Sequence, residues 1–404
     1  MPLALFALTL AAFAIGTTEF VIVGLIPTIS ADLGVSLPSG GLLVSLYALG
    51  VAIGAPLLTA ATGRVPRKAL LVGLMALFTA GNLLAWLAPG YGALVAARIV
   101  TGLAHGVFFS VGSIIATGLV AQDKAARAIA MMFSGMTVAF VTGIPLGTFI
   151  GQHFGWRTTF LVVAAFGLVA MLGALLLVPA RIAHTPPAPL RQQLRVLLQP
   201  RLLLVYAMTA VGYGGSLIAF TFLAPILQDM AGFRPDMVSL VLLAYGVSVA
   251  AGNVWGGRLA DRKGPVPALK TIFLLLAAVL LVLTFTAPHP WLVLLTVLAW
   301  GAVAFGNVPG LQVYVVQQAR AVAPQAVDVA SGFNIAAFNL GVAGGSWAGS
   351  LVVGRLGLEH TPWIAALVTL AAYGLTVLSG RLDRQGRGQG ATENQATPGV
   401  NAGA

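Results

Sequence analysis

Glu19 is the residue best suited to chemistry here: it lies in Gly16-Thr17-Thr18-Glu19-Phe20, inside an apolar run over about residues 4–29. A charge at the centre of a bilayer costs at least ~2.5–3.5 kcal/mol on insertion scales. If the run is a helix with its midpoint near residue 16, then at a rise of about 1.5 Å per residue Glu19 sits roughly 4–5 Å beyond the membrane midplane. So short a side chain cannot easily snorkel from that depth. The position suits a carboxyl that binds and releases a proton near neutral pH; the plainer reading is a structural acid, neutral or salt-bridged. Two further ionisable groups share another apolar run, about 92–118: Arg98 and His105. Arg98 falls about 10 Å outside the midplane, where it either snorkels to the interface or serves as counter-charge to Glu19. His105 falls near the midplane and is a second titrating group or a satisfied packing residue. The later runs carry neutral polar side chains at mid-depth: Tyr213, Ser216, Asn253, Asn307, Gln312, Asn334 and Asn339. They suit an uncharged or hydroxyl-rich ligand, and they suit interhelical hydrogen bonding as well.

These residues need a membrane around them. The chain is 59% hydrophobic and 8% charged, against ~25% charged for a soluble domain. So few charges cannot clothe a water-facing surface. Spanning helices need roughly 20 apolar residues, and twelve runs of that kind occur: about 4–29, 41–62, 69–88, 92–118, 127–150, 158–178, 202–228, 237–260, 268–287, 291–316, 327–352 and 362–380. A polar segment, 181–201, with four arginines and four prolines, separates a first unit (1–180) from a second (202–380). The Gly/Gln/Asn-rich residues 381–404 read as a disordered tail. The first run lacks a basic flank and a clear cleavage site, so it reads as a membrane helix and not as a removed signal peptide. With the N-terminus inside, inner loops and tail hold 17 basic residues and outer loops three. That asymmetry puts both termini in the cytoplasm. It also explains the net charge of +11 without nucleic acid. Absence of cysteine removes disulfides and thiolate chemistry.

An internal repeat relates the units. Pro27 and Pro225, Tyr47 and Tyr245, Gly54 and Gly252, and Arg64 and Arg262 are each 198 residues apart, and Ser134-Gly135 precedes Ser331-Gly332 by 197. The fold class expected is therefore an all-α membrane protein of twelve transmembrane helices, in two parallel, pseudo-symmetric six-helix bundles with a midplane site between them.

Three motifs carry a family resemblance. Gly257-Arg258-Leu259-Ala260-Asp261-Arg262-Lys263-Gly264 resembles the Gly-x-x-x-Asp-Arg-x-Gly signature of the major facilitator superfamily; the first-half copy, Gly63-Arg64-Val65-Pro66-Arg67-Lys68, departs from it at Gly63 and Pro66. The resemblance implies a conformational latch of Arg64, Arg67, Lys68, Asp261 and Arg262, which otherwise read as ordinary positive-inside charges. Arg98-Ile99-Val100-Thr101-Gly102 is similar to the family's fourth-helix motif. Gly143-Ile144-Pro145-Leu146-Gly147 is similar to the antiporters' fifth-helix Gly/Pro motif; its bland reading is close packing around a kink. With Gly24-Leu25-Ile26-Pro27, Ala104-His105-Gly106-Val107-Phe108-Phe109 and Phe333-Asn334 through Asn339-Leu340-Gly341, the chain resembles, over about 4–380, the sugar-efflux, arabinose-efflux-permease-like branch of the drug:proton antiporters. That resemblance implies proton-driven export of a small neutral or amphipathic solute, such as a sugar or drug, from a bacterial inner membrane, by a monomer. Expected partners are the solute, protons and lipid. Uptake symport or facilitation on the same fold is the alternative. A Walker phosphate loop, a His-Glu-x-x-His pair and a Ser/His/Asp set are all missing, so neither ATP, a metal or other cofactor, nor an enzymatic reaction is expected.

Overall fold

The computed structural model describes residues 2–62, 65–121, 124–180 and 195–395. Twelve helices are long and apolar enough to cross a membrane. In chain order they are α1 (Leu3–Leu33), α2 (Leu37–Ala61), α3 (Arg67–Trp86), α4 (Tyr91–Gly118), α5 (Arg127–Phe154), α6 (Trp156–Leu177), α7 (Pro200–Met230), α8 (Pro235–Lys263), α9 (Pro265–Thr286), α10 (Pro290–Val322), α11 (Val327–Arg355) and α12 (Thr361–Gln395). Side chains such as Leu176, Phe285, Trp291 and Leu295 point outward, as a lipid-facing surface requires.

Packing follows the repeat. In the first half α2 lies on α4, α3 on α6 and α1 on α5; in the second α8 lies on α10, α9 on α12 and α7 on α11. Between halves α2 meets α11 and α5 meets α8, contacts that exchange under a two-fold axis. Glycines set the closest approaches. A Cβ on Gly54 would stand 3.0 Å from the Leu103 carbonyl oxygen, and one on Gly301 2.8 Å from that of Tyr245, so α2–α4 and α8–α10 share one seam.

Three apolar cores show how the halves join. One, away from the termini, mixes first-half residues such as Val21, Val44 and Phe160 with second-half residues such as Leu217, Val241 and Trp300. Toward the termini it divides in two, one core containing Leu8, Phe78 and Phe108 and the other Met208, Phe273 and Leu311. The halves are thus welded on the far side and parted by a cleft on the side of the termini. The far-side weld includes a hydrogen bond from Ser45 Oγ to the Ala343 carbonyl (2.6 Å), and it sets Pro38 beside Gly354, where an added Cβ would stand 3.4 Å from Pro38 Cγ.

Three helices break inside the bilayer, each near a proline. In α5 a π-turn, Ala139–Gly143, precedes Pro145. In α7 the helix interrupts at Thr221–Phe222, four and three residues before Pro225; in α10 it interrupts at Phe305–Gly306, before Pro309. Proline has no N–H and its ring crowds the carbonyl four residues back, so the ladder must open there.

α12 differs from the expectation for the C-terminal segment: it continues through 381 to Gln395, where composition suggested a disordered tail. Extending a formed helix is cheap, and Asp383 is tied down. Its carboxylate accepts hydrogen bonds from Arg201, Tyr314 (2.7 Å) and Gln318 (2.9 Å), from α7 and α10.

Candidate functional site

The seam between α1 and α5 fixes Glu19. Gly135, Ala139, Gly143, Gly147 and Gly151 recur every four residues on α5, and Thr9, Phe13, Gly16, Thr17, Val21 and Leu25 of α1 pack on them. A Cβ on Gly143 would stand 3.1 Å from Thr17 Cβ, and one on Gly147 would stand 2.6 Å from Val21 Cγ2. Glu19 lies between these contacts, turned away from α5, one residue past the middle of the 31-residue α1. It is 4% exposed.

Arg98 is 1% exposed and does not reach toward an interface. Its guanidinium grips main chain: Nη1 donates to the Thr18 carbonyl (2.6 Å), Nη2 to the Glu19 carbonyl (3.2 Å) and Nε to the Leu43 carbonyl (3.4 Å). The same group lies 4.1 Å from the centroid of the Tyr47 ring. Arg98 therefore lies beside Glu19 without hydrogen-bonding its carboxylate. Beside it Thr18 Oγ1 donates to Asn82 Oδ1 (2.8 Å).

His105 Nδ1 is 4.0 Å from Glu19 Oε2 and 3.0 Å from the Tyr47 hydroxyl. The acid, the imidazole and the phenol thus form a short polar file linking α1, α4 and α2. Tyr47 is the member that residue type did not single out; its match to Tyr245 in the repeat was the available signal.

Among the described residues the second half has no acid–imidazole counterpart to this file. Tyr245 packs on Phe220 (5.1 Å) and Trp300 (5.8 Å), and Trp300 Nε1 donates to Ser216 Oγ (2.8 Å). Tyr213 meets Phe305 and Phe338 edge-on (5.3 and 5.2 Å), and Phe305 touches Phe140 of α5 (4.6 Å). Phe20, next to Glu19, contacts Phe140 and Phe220. An aromatic cluster therefore bridges the halves beside the acid. Sequence reading missed these phenylalanines, because an aromatic ring in a membrane helix carries no mark of which face it occupies.

The neutral amides divide. Thr209 Oγ1 donates to Asn334 Oδ1 (2.7 Å), Asn334 Nδ2 to Gln312 Oε1 (2.9 Å), and Gln312 to Ser331. Asn334 and Gln312 thus bind α7, α10 and α11 together. Asn253, Asn307 and Asn339 each keep a buried amide oxygen without a hydrogen-bond partner among the described residues. Asn307 Nδ2 donates to the Ala304 carbonyl at the α10 break (2.8 Å).

Of the latch residues, Arg64 lies outside the described residues. Arg67 is buried at the start of α3; Asp261 and Arg262 are exposed at the end of α8, which Gly264 terminates at φ +79°. Among the described residues no ion pair spans the halves on this side, in keeping with the open cleft.

Twelve spans in two related halves, welded on one side and parted on the other around a buried polar file, define a multi-pass membrane transporter and not an enzyme. The chain belongs to the Major Facilitator Superfamily, whose model matches residues 8–323. It is 49% identical to the uncharacterized MFS-type transporter YtbD of Bacillus subtilis (strain 168), over 95% of this chain and 97% of that protein. It is 36% identical to a chloramphenicol resistance protein of Streptomyces lividans, over 92% of this chain and 95% of that one. The fold is shared with the crystal structure of a bacterial homolog of the human lysosomal transporter Spinster, in an inward-facing, unoccupied conformation. The TM-score is 0.77, with 17% identity, covering 94% of this chain and 96% of that one.

Proposed function

We propose that the protein is a proton-coupled antiporter of the bacterial inner membrane that exports a small neutral or amphipathic solute by rocking its two halves. The observation that carries this reading is Glu19: a buried carboxyl at the middle of α1, 4.0 Å from His105. Arg98 steadies the adjacent backbone. Basic loops favour cytoplasmic termini, so the cleft faces the cytoplasm, where an export cycle loads its cargo. The amide oxygens of Asn253, Asn307 and Asn339 supply acceptors for the solute's polar end, and Tyr213 with its aromatic neighbours receives its apolar end. A drug-like cargo agrees with the chloramphenicol resistance relative; a sugar remains a cargo of the right size and polarity. The Arg67, Lys68, Asp261 and Arg262 charges act as a latch when the halves close on this side, working as a monomer.

The energetics suffice. A membrane potential of 100 mV supplies ~2.3 kcal/mol per charge, so one proton entering per neutral solute leaving sustains roughly fifty-fold accumulation outside. Glu19→Gln keeps the shape and removes the titrating proton. In proteoliposomes it should abolish export driven by a pH gradient while leaving solute counterflow in place. Full gradient-driven export by this variant would overturn the coupling role of Glu19.

A further inference from the structure

Below the central aromatic cluster the first half carries a second aromatic surface. Phe140 and Phe133 are seven residues apart on α5, hence on one helix face. Phe140 is 6% exposed because Phe305 of the opposite half covers it; Phe133, about 10 Å nearer the termini, is 36% exposed because the halves have parted there. Phe133 does not hang free. Its ring stacks on Phe109 of α4, with centroids 4.8 Å apart and planes 23° apart. Phe109 in turn meets His105 edge-on (5.3 Å), one helical turn along α4. Phe108 braces Phe109 from the buried side (5.1 Å, 84°). The result is a file of rings running from the exposed Phe133 to the Glu19–His105 pair.

We infer that Phe133 and Phe109 form an access subsite that takes the flat aromatic ring of the solute by stacking, before it passes to the central cavity. This rests on the reading of the cleft as a solute path and narrows the cargo to compounds with a planar ring. Three features favour a solute ring over mere gate packing. The exposed ring is held flat by a neighbour and not left to swing. The file is continuous with the polar site through His105. A pre-stacked pair presents its outer face with no further ordering, and aromatic pairs gain energy beyond the area they bury.

The test uses the purified full-length chain, with chloramphenicol as the aromatic probe and arabinose as a ringless probe, binding being measured by calorimetry without any pH gradient. Phe133→Ala and Phe133→Leu should weaken chloramphenicol about five- to tenfold, while Phe133→Tyr should bind as the unaltered chain does. Melting temperatures close to that of the parent exclude misfolding. Arabinose, if it binds, should be indifferent to all three. Saturable chloramphenicol binding unchanged by Phe133→Leu, equal loss for both probes, or no chloramphenicol binding to the parent chain would each overturn the subsite. Because no gradient is present, failure of proton coupling at Glu19 leaves this result unaffected.

Discussion

Arg98→Lys separates two jobs that one guanidinium performs, supplying charge and clamping backbone. Lysine preserves the positive charge beside Glu19. It cannot reproduce the fork that reaches Thr18 and Glu19 on α1 and Leu43 on α2 at once. The two shorter bonds, 2.6 and 3.2 Å, are made by different nitrogens of one planar group, a spread that a single ammonium nitrogen matches poorly. A hydrogen bond to a charged group contributes about 1.5–3 kcal/mol, and a buried cation–π contact over Tyr47 up to ~2 kcal/mol. The three carbonyls lie within helices, where main-chain bonds still serve them, so no desolvation penalty is added. The expected loss is therefore about 2–4 kcal/mol. For a chain of this length that is a fall in melting temperature of roughly 2–5 °C. Transport should fall with it, because α1 loses the tie that orients Glu19, while the pH at which export is half-maximal should hold, because the charge is retained. Thermal melting in detergent and the pH profile of export in proteoliposomes read the two effects separately. Parental melting and parental export by Arg98→Lys would refute the clamp and leave only the charge.

Two further perturbations address the frame. On the far side, a Cβ at Gly354 would stand 3.9 Å from Pro38 Cβ, within the range a disulfide requires. Since the chain has no cysteine of its own, Pro38→Cys with Gly354→Cys should cross-link on oxidation, hold the far side shut and stop transport until reduced; undiminished transport by the oxidised protein would show that this contact need not open. At the other face, Asp383→Ala removes the acceptor shared by Arg201, Tyr314 and Gln318. It should lower stability by about 1.5–3 kcal/mol and speed proteolysis beyond Gly380, whereas unchanged melting and cleavage would mean the carboxylate is not an anchor.

Hydropathy alone locates the twelve spans, because lipid permits little else than helices with every backbone group satisfied. The constant offset near 198 residues likewise anticipates the exchange of α2–α11 with α5–α8. The site is only partly legible. Glu19 stands out because a carboxyl in an apolar run is expensive. The partner of each polar group is not encoded in its type. Asn334 and Gln312 look like ligand groups in sequence yet hydrogen-bond to each other, whereas Asn307, beside an interrupted helix, keeps an oxygen without a partner among the described residues. Arg98 reads as a charge and acts on carbonyls, which every residue has and no sequence pattern marks. The breaks in α7 and α10 do have a sequence signal, Pro225 and Pro309; the register of the break is set by packing.

The repeat also explains how two tasks fit one scaffold. Equivalent glycine seams bring α2 to α4 and α8 to α10, so each half presents a tyrosine, Tyr47 or Tyr245, at the same place. Around Tyr47 the neighbours are Arg98 and His105, with Glu19 beyond; around Tyr245 they are Phe220 and Trp300. Identical backbone frames thus hold ionisable groups in one half and rings in the other. In the proposed cycle a proton bound at Glu19 would change the charge of the first wall only, while an apolar solute would gain most from the second. Phe20 and Phe140, which touch Phe220 and Phe305 across the gap, are where the two walls meet. Protonation beside Phe20 removes a charge from the edge of that aromatic contact, and so alters the cost of parting it. The proposed coupling needs no long path: Glu19 and the first ring of the interface, Phe20, are consecutive residues of α1.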